Sequence, residues 1–272
     1  MDSLTKKAYE LRRDILEMIY RSKAGHVGGD LSVIDILTVL YYKVMNVSPE
    51  NRRDPDRDRF IMSKGHCVDA LYSVLGNRGY FDKEEAIKNF SAYNSRFIGH
   101  PNTDVPGIEM NSGSLGHGIS LGVGMALAAK IDGRAYRTYV VLGDGEMAEG
   151  SNYEAMMAAS HYKLDNLCAT LDLNGLQISG RTKDVMSSDD ISEKFQAFGW
   201  NVVEVPDGND CTELLEGYKK AEEFKGKPSI VIAHTVKGKG VSFMENKKSW
   251  HHGVMTEEQY IQAVKEIEEV LL

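Results

Sequence analysis

The sequence predicts an α/β fold, a mostly parallel sheet flanked by helices, on three observations. Short apolar runs rich in β-branched residues, such as 138–142 (TYVVL) and 228–234 (PSIVIAH), alternate with longer segments whose apolar residues recur at helical spacing. Nearly every junction between them is a glycine or a polar turn, the pattern of helices laid over parallel strands. No internal repeat and no shift in composition divides the 272 residues, so one domain over 1–272 is expected.

Taken in order, residues 4–21 and 31–45 carry apolar side chains at helical spacing among charges and read as amphipathic helices. Residues 59–63 form a short strand running into Gly65, and 69–75 a helix again. The segment 115–130 is apolar and rich in Gly and Ala, which suits a helix packed closely against its neighbours. Strands follow at 138–142 and 166–172 with a helix over 147–162 between them. Two more strands at 200–205 and 228–234 enclose a helix over 213–224, and a helix over 257–271 closes the chain. Two irregular stretches, 93–114 and 236–256, are long for plain connectors and are candidate functional loops, against the blander alternative of surface connections.

Composition narrows the function classes. With 42% apolar and 26% charged residues the chain resembles ordinary globular proteins. Its formal net charge of -8 argues against a general nucleic-acid binder, since phosphate backbones are met by basic faces. Cys67, Cys168 and Cys211 match neither a disulfide framework nor a zinc site, which fits a reducing compartment. The first twenty residues lack the continuous apolar core of a signal peptide, and no stretch reaches the apolar length of a membrane span. A soluble, cytoplasmic protein with neither nucleic acid nor membrane as partner is expected.

The run 138–142 ends in Gly143-Asp144-Gly145 just ahead of a helical pattern. Ligands of open parallel sheets gather beyond the carboxyl ends of the strands, so Asp144 stands where a ligand would be. The glycines let a bulky group approach the backbone, and a helix N-terminus beyond favours an anion. The next strand ends in Asp172-Leu173-Asn174-Gly175. If the two strands are adjacent and parallel, Asp144 and Asn174 emerge side by side. With a backbone carbonyl such as that of Leu176 they offer three oxygens to a small hard cation, and magnesium is commonly held this way with phosphate oxygens and water completing its shell. Gly-Asp-Gly alone reads as a tight turn; the pairing with Asn174 favours the metal.

Gly143-Asp144-Gly145 with Asn174 thirty residues after Asp144 resembles the magnesium-diphosphate signature of thiamine diphosphate enzymes. The whole chain resembles transketolases, through AGHVGGDLS (24–32), PDRDRFIMSKGH (55–66), IGHPNTDVPGIEMNSGSLGHG (98–118), GDGEMAEG (143–150), DLNGLQISGRTKDV (172–185) and WHHG (250–253). The resemblance implies the thiamine diphosphate-binding fold, with 1–272 as its diphosphate- and magnesium-binding domain. Most transketolases are longer, with a pyrimidine-binding domain and a smaller C-terminal one. A chain of this length resembles the N-terminal subunit of a split transketolase, a heterotetramer with two copies of each chain. That enzyme moves a two-carbon ketol unit from a ketose phosphate to an aldose phosphate; pentose phosphates are the default substrates, and unusual sulfonated or branched ketoses the variants.

Roles follow from the resemblance position by position. Asp144, Asn174 and the Leu176 backbone would hold magnesium or another divalent cation, while Gly145, His66 and His252 would meet the diphosphate. The backbone at Gly113 and Leu115 would meet the aminopyrimidine, and Glu149 would lie near the interface and link the two cofactor sites. His26, His100 and His252 would bind substrate hydroxyls and move protons, for which imidazoles near neutrality are suited. In WHHG the choice lies between His251 and His252, and falls on His252 because it directly precedes the glycine. His161 and His234 read as structural.

Val27, His117 and Leu173 depart from the family pattern without removing a ligand. The acid that protonates the cofactor ring and the bases that grip the sugar phosphate belong, in the family, to the domains beyond this one, so the chain alone is expected to be inactive. An α-ketoacid dehydrogenase alpha subunit or a deoxyxylulose phosphate synthase is the alternative among thiamine enzymes, disfavoured by SKGH, GHPN and WHHG. A non-catalytic diphosphate-binding protein is the alternative outside that class, disfavoured by the intact Asp144 and Asn174.

Overall fold

The computed structural model describes residues 1–187 and 190–272. Helix α1 (Ser3–Ser22) is capped by Asp2, whose carboxylate accepts the Leu4 N–H at 2.9 Å, and ends on Lys23 in the left-handed region. Helix α2 (Val27–Val39) is buried along its whole length and runs into a π-helical turn (Leu40–Val44). Strand β1 (Arg59–Met62), α3 (Val68–Asn77), α4 (Lys83–Asn89) and α5 (Gly118–Ile131) follow. Strand β2 (Thr138–Gly143) leads through a 3-10 turn (Gly145–Ala148) into α6 (Gly150–His161) and β3 (Leu167–Leu173). A small antiparallel hairpin, β4 (Leu176–Gln177) and β5 (Gly180–Arg181), opens the next segment with α7 (Thr182–Val185). Then come α8 (Ile191–Ala197), β6 (Asn201–Val205), α9 (Cys211–Glu223), β7 (Ser229–His234) and α10 (Glu257–Leu271).

The sheet order is β1-β2-β3-β7-β6, and every pairing in it is parallel. The predicted fold class is therefore present. Its central strands are buried on both faces, so they read as continuous apolar runs rather than alternating ones. Tyr139 and Val141 pack into a core shared with α1, α2, α3 and α9, while Val140 and Leu142 face α5, α6 and α8. A third cluster under α3 and α4 gathers Phe90, Phe97 and Val105 beneath the loop that follows them.

Several boundaries differ from the sequence reading, each for a physical reason. Helix α2 begins four residues earlier than predicted and absorbs Gly28 and Gly29, whose poor helix propensity argues for a loop. Both glycines are demanded by packing: a Cβ on Gly28 would stand 2.7 Å from the Trp250 carbonyl oxygen, and one on Gly29 2.6 Å from Cys67 Sγ. Helix α5 starts at Gly118, not 115, because Gly116 holds φ at +84° and stops the helix from forming there. The segment after Asp144 is a 3-10 turn, and α6 starts only at Gly150. Helices α4, α7 and α8 and the β4–β5 hairpin are additions to the predicted elements, being four- and seven-residue helices and two-residue strands too short to show a period.

The long loop over 236–256 is firmly anchored. Buried Arg12 on α1 donates to both Asp35 on α2, at 3.0 Å through one nitrogen, and the Lys239 carbonyl at 3.1 Å. Asn209 bonds Asp35 at 2.7 Å and accepts the Val236 N–H at 2.8 Å, so the loop over 236–256 is tied to the first two helices.

Candidate cofactor and substrate cleft

Parallel register brings the two motif strands together. Gly143 at the end of β2 pairs with Asp172 on β3, and Leu173 pairs with His234 on β7. Asp144 and Asn174 consequently leave the sheet as neighbours at its carboxyl edge. They line a cleft of about 320 Å³ together with His26, Lys64, His66, His100, Gly113, Leu115, Gly145, Glu146, Leu176, Gln177, Ile178, Lys237 and His251.

Asp144 is 4% exposed and receives two backbone N–H groups, from Gly145 at 2.8 Å and Gly175 at 2.6 Å. Burial first, and the charge of Asp172 second, push its carboxyl up to about 6 despite those bonds. Asn174 Oδ1 accepts the Leu176 N–H at 3.1 Å, and its amide nitrogen leans on Ser32 Oγ at 3.4 Å. The Leu176 carbonyl accepts from Lys237 Nζ at 3.4 Å.

Residues the sequence reading passes over form the floor. Asp172 is fully buried and accepts from the Lys64 ammonium, from Thr235 and, at 2.7 Å, from Ser32. Burial alone would raise its carboxyl, but Lys64 and the two hydroxyls outweigh that and hold it below the ordinary range. Lys64 is itself raised, the attraction of Asp172 overcoming its burial. Lys237 is 2% exposed and, unlike Lys64, has no carboxylate partner among the described residues; burial and repulsion from Lys64 lower it. Glu146, also buried, accepts N–H groups from Gly143 at 3.0 Å and Gly116 at 2.8 Å as well as the Ser63 hydroxyl. It thus fixes the turn that carries Gly113 and Leu115 against β1 and β2. The lysines fall in SKGH and TVKGKG, two motifs whose glycines draw attention away from the cations beside them.

The histidines converge from four chain segments. His26 lies with its ring centre 5.0 Å from that of His66, 5.6 Å from His251 and 4.7 Å from His252. His66 and His251 stack at 5.4 Å. Burial is the largest cause in each case: it takes His26 down to about 4 and His251 to about 3, with nearby cationic charge adding to it, and lowers His66 and His100 as well. These rings are neutral at physiological pH. His100 stands over Gly113, where a Cβ would meet its Cδ2 at 2.4 Å, so only glycine fits there.

Between the two histidines of WHHG, the structure turns His251 into the cleft, with its Nδ1 buried and lacking a hydrogen-bond partner among the described residues. His252 is exposed at the rim beside His26 and does not line the cleft. The 3-10 turn over Lys248–Trp250 sets this orientation, which chain position relative to Gly253 does not reveal. Glu149 is exposed as well, lying outside the cleft as the residue before α6 and packing against Gly116.

This arrangement fits a metal-diphosphate group on its own terms. Asp144, Asn174 and Leu176 bring a carboxylate, an amide oxygen and a backbone carbonyl to one cleft, with the Asp144 carboxyl raised by burial and by Asp172. Beside them Lys237 is lowered by burial and by Lys64. A divalent cation and a diphosphate together would relieve both. Among the described residues no three His, Cys, Asp or Glu side chains gather as a self-sufficient metal centre. A site with one carboxylate is the kind that relies on phosphate oxygens to complete magnesium's shell.

The family model for the thiamine diphosphate binding domain of transketolase matches residues 5–268. One subunit of the apulose-4-phosphate transketolase of Phocaeicola vulgatus is 48% identical over 269 residues, 99% of this chain and 95% of that one. A 6-deoxy-6-sulfo-D-fructose transketolase subunit of a Clostridium species is 39% identical, covering 97% and 96%. The crystal structure of transketolase from Campylobacter jejuni superposes with a TM-score of 0.93 at 32% identity, over 98% of this chain but 43% of its own. The chain thus spans less than half the length of that solved transketolase. On the family match over nearly all its residues and on relatives of its own length, the chain belongs to the transketolase family, matching its thiamine diphosphate binding domain over residues 5–268.

Proposed function

We propose that this chain is the diphosphate-binding subunit of a two-chain transketolase, working as a heterotetramer with a partner that supplies the pyrimidine-binding and C-terminal domains. The observation that carries this reading is the juxtaposition of Asp144, Asn174 and the Leu176 carbonyl with the Lys237 ammonium, under a group of neutral histidines. Asp144, Asn174 and Leu176 would hold magnesium. Gly145, His66 and Lys237 would meet the diphosphate, and the backbone at Gly113 and Leu115 the aminopyrimidine. Thiamine diphosphate, when bound, supplies the nucleophilic carbon and the electron sink that let a carbon-carbon bond next to a ketone be broken and remade.

The chain's own contribution is binding and proton handling. His26, His100 and His251, kept neutral by burial, can accept a hydrogen bond from a substrate hydroxyl or take its proton at a free ring nitrogen, such as His251 Nδ1. His252, exposed at the rim, would contact a sugar. Residues 1–272 act as one domain, and Glu149, exposed beside the cleft, would meet the partner. Three buried free thiols support a cytoplasmic location.

The substrate is a ketose phosphate. The relatives named for apulose-4-phosphate and for a sulfonated fructose make a branched or otherwise unusual ketose the first to try beside xylulose 5-phosphate. The deciding experiment is ketol transfer with thiamine diphosphate and magnesium, for this chain alone and mixed with a candidate C-terminal subunit from the neighbouring reading frame. Activity in the mixture alone is expected. Transfer by the isolated chain, or none by a mixture that binds the cofactor and is offered each of these ketoses, would overturn the reading.

A further inference from the structure

Two carboxylates below the cleft have no part in the chemistry above. Asp30 in the first turn of α2 and Asp69 in the first turn of α3 are both fully buried. They are crossed: Asp69 Oδ2 accepts the His26 N–H at 3.3 Å, and Asp30 Oδ1 accepts the Ala70 N–H at 3.2 Å. Each side chain therefore satisfies a free N–H at the start of the other's helix. The close approach depends on Gly25, at φ +137°, where a Cβ would stand 2.4 Å from Asp69 Oδ2.

The two remaining oxygens, Asp30 Oδ2 and Asp69 Oδ1, are buried and receive no N–H or O–H from the other described residues. Because Asp30 reaches the N–H of Ala70, the residue next to Asp69, the two buried carboxyls lie side by side, close enough for a bond between them. Two carboxylate oxygens make such a bond only when a proton lies between them.

We propose that Asp30 and Asp69 share one proton and that the resulting pair positions His26, holding its backbone so that its ring stands among those of His66, His251 and His252. Asp69 Oδ1 carries the proton and donates it to Asp30 Oδ2, leaving Asp69 Oδ2 to accept from His26. Burial raises both carboxyls, and the charge of Asp30 raises Asp69 further. The other titratable groups facing the pair are Lys64 and Lys237, which favour ionisation of Asp30, together with Cys67 and Tyr72, both raised by burial. Lys64 is already committed to Asp172. Loss of the shared proton at alkaline pH leaves two charges in a dry space and loosens the turn that carries His26.

The role assigned to His26 rests on the functional reading above; the shared proton does not. The first measurement is a pH titration of the Asp carboxyl carbons in the ¹³C-labelled full chain, which needs neither partner nor turnover. One carboxyl of the pair is expected to stay protonated well above the ordinary range near pH 4, and its signal to vanish in Asp69→Asn. Ordinary titration of the two carboxyls whose signals Asp30→Asn and Asp69→Asn identify would overturn the proposal. The second measurement is ketol transfer by the reconstituted enzyme. Asp69→Asn, whose amide replaces the O–H donor and whose carbonyl still meets His26, keeps turnover close to wild type and loses the alkaline decline. Asp69→Ala lowers kcat by about tenfold or more with cofactor affinity and KM little changed, since small misplacements of catalytic groups are felt strongly. A folded Asp69→Ala with wild-type kcat, or an alkaline decline unchanged in Asp69→Asn, would overturn the positioning role. A mixture inactive in every form would count against the functional reading, and the carbon titration would still decide the pair.

Discussion

At the scale of single residues, the cleft is a problem in charge placed out of water. Asp172 and Lys64 solve it by pairing, whereas burial and like-charged neighbours leave Asp144 raised and Lys237 lowered. Asp144→Ala should therefore weaken magnesium-dependent thiamine diphosphate binding more than about a hundredfold, because even residues that only support a metal ligand are commonly worth ten- to a hundredfold. Isothermal titration with and without magnesium tests this; unchanged affinity would remove Asp144 from the metal site. The two histidines of WHHG give a second test. His251 stacks on His66 inside the cleft and His252 stands at the rim, so His251→Ala should lower kcat more than His252→Ala, whose effect should fall mainly on KM. The reverse ranking in steady-state kinetics would restore the choice that chain position suggests.

At the scale of elements, close approach decides what side-chain pattern alone leaves open. Helix α5 lies against the sheet through Gly122, where a Cβ would stand 2.4 Å from Val140 Cγ2 and 3.3 Å from Leu167 Cδ1. Gly122→Val should destabilise the chain by about 1–3 kcal/mol through overpacking. Gly124→Ala, two residues along and with open space around it, should instead stabilise by up to about 1 kcal/mol from helix propensity. Urea melts of the pair separate the effects, and equal midpoints would mean that α5 does not pack as described. The same reasoning explains why the start of α2 is hard to read from sequence. Glycine there is a packing requirement set by Cys67 and Trp250, residues far away in the chain.

At the scale of the whole molecule, large apolar side chains stand exposed on α5, on α6 and along 176–186. Ile131 is 76% exposed, Met157 56%, Ile178 67% and Met186 63%. In the proposed assembly these are covered. Amide exchange in 118–131, 150–161 and the β4–β5 hairpin should slow when the partner is added, while exchange in α9, on the opposite face, stays the same. No change in those segments on forming an active mixture would place the interface elsewhere.

The sequence by itself determined the fold class, the succession of the main strands along the chain and the placing of Asp144 and Asn174 just beyond the ends of two successive strands, whose adjacency the structure then showed. It could do so because β-branched runs, helical periodicity and glycine turns are local signals, and parallel α/β connectivity turns a local position at a strand end into a predictable place in space. The motif histidines were legible through family resemblance rather than through any period. Tertiary structure alone decided which WHHG histidine faces inward, that Lys64 and Lys237 share the cleft, that Glu146 braces the loop bearing Gly113, and that Asp30 and Asp69 meet. Such facts depend on contacts between residues far apart in the chain, 30 positions for Gly116 with Glu146, 40 for Asp30 with Ala70 and 108 for Lys64 with Asp172. Burial, the largest influence on Asp144 and on the shifted imidazoles of the cleft, is a property of the packed chain and of no segment of it.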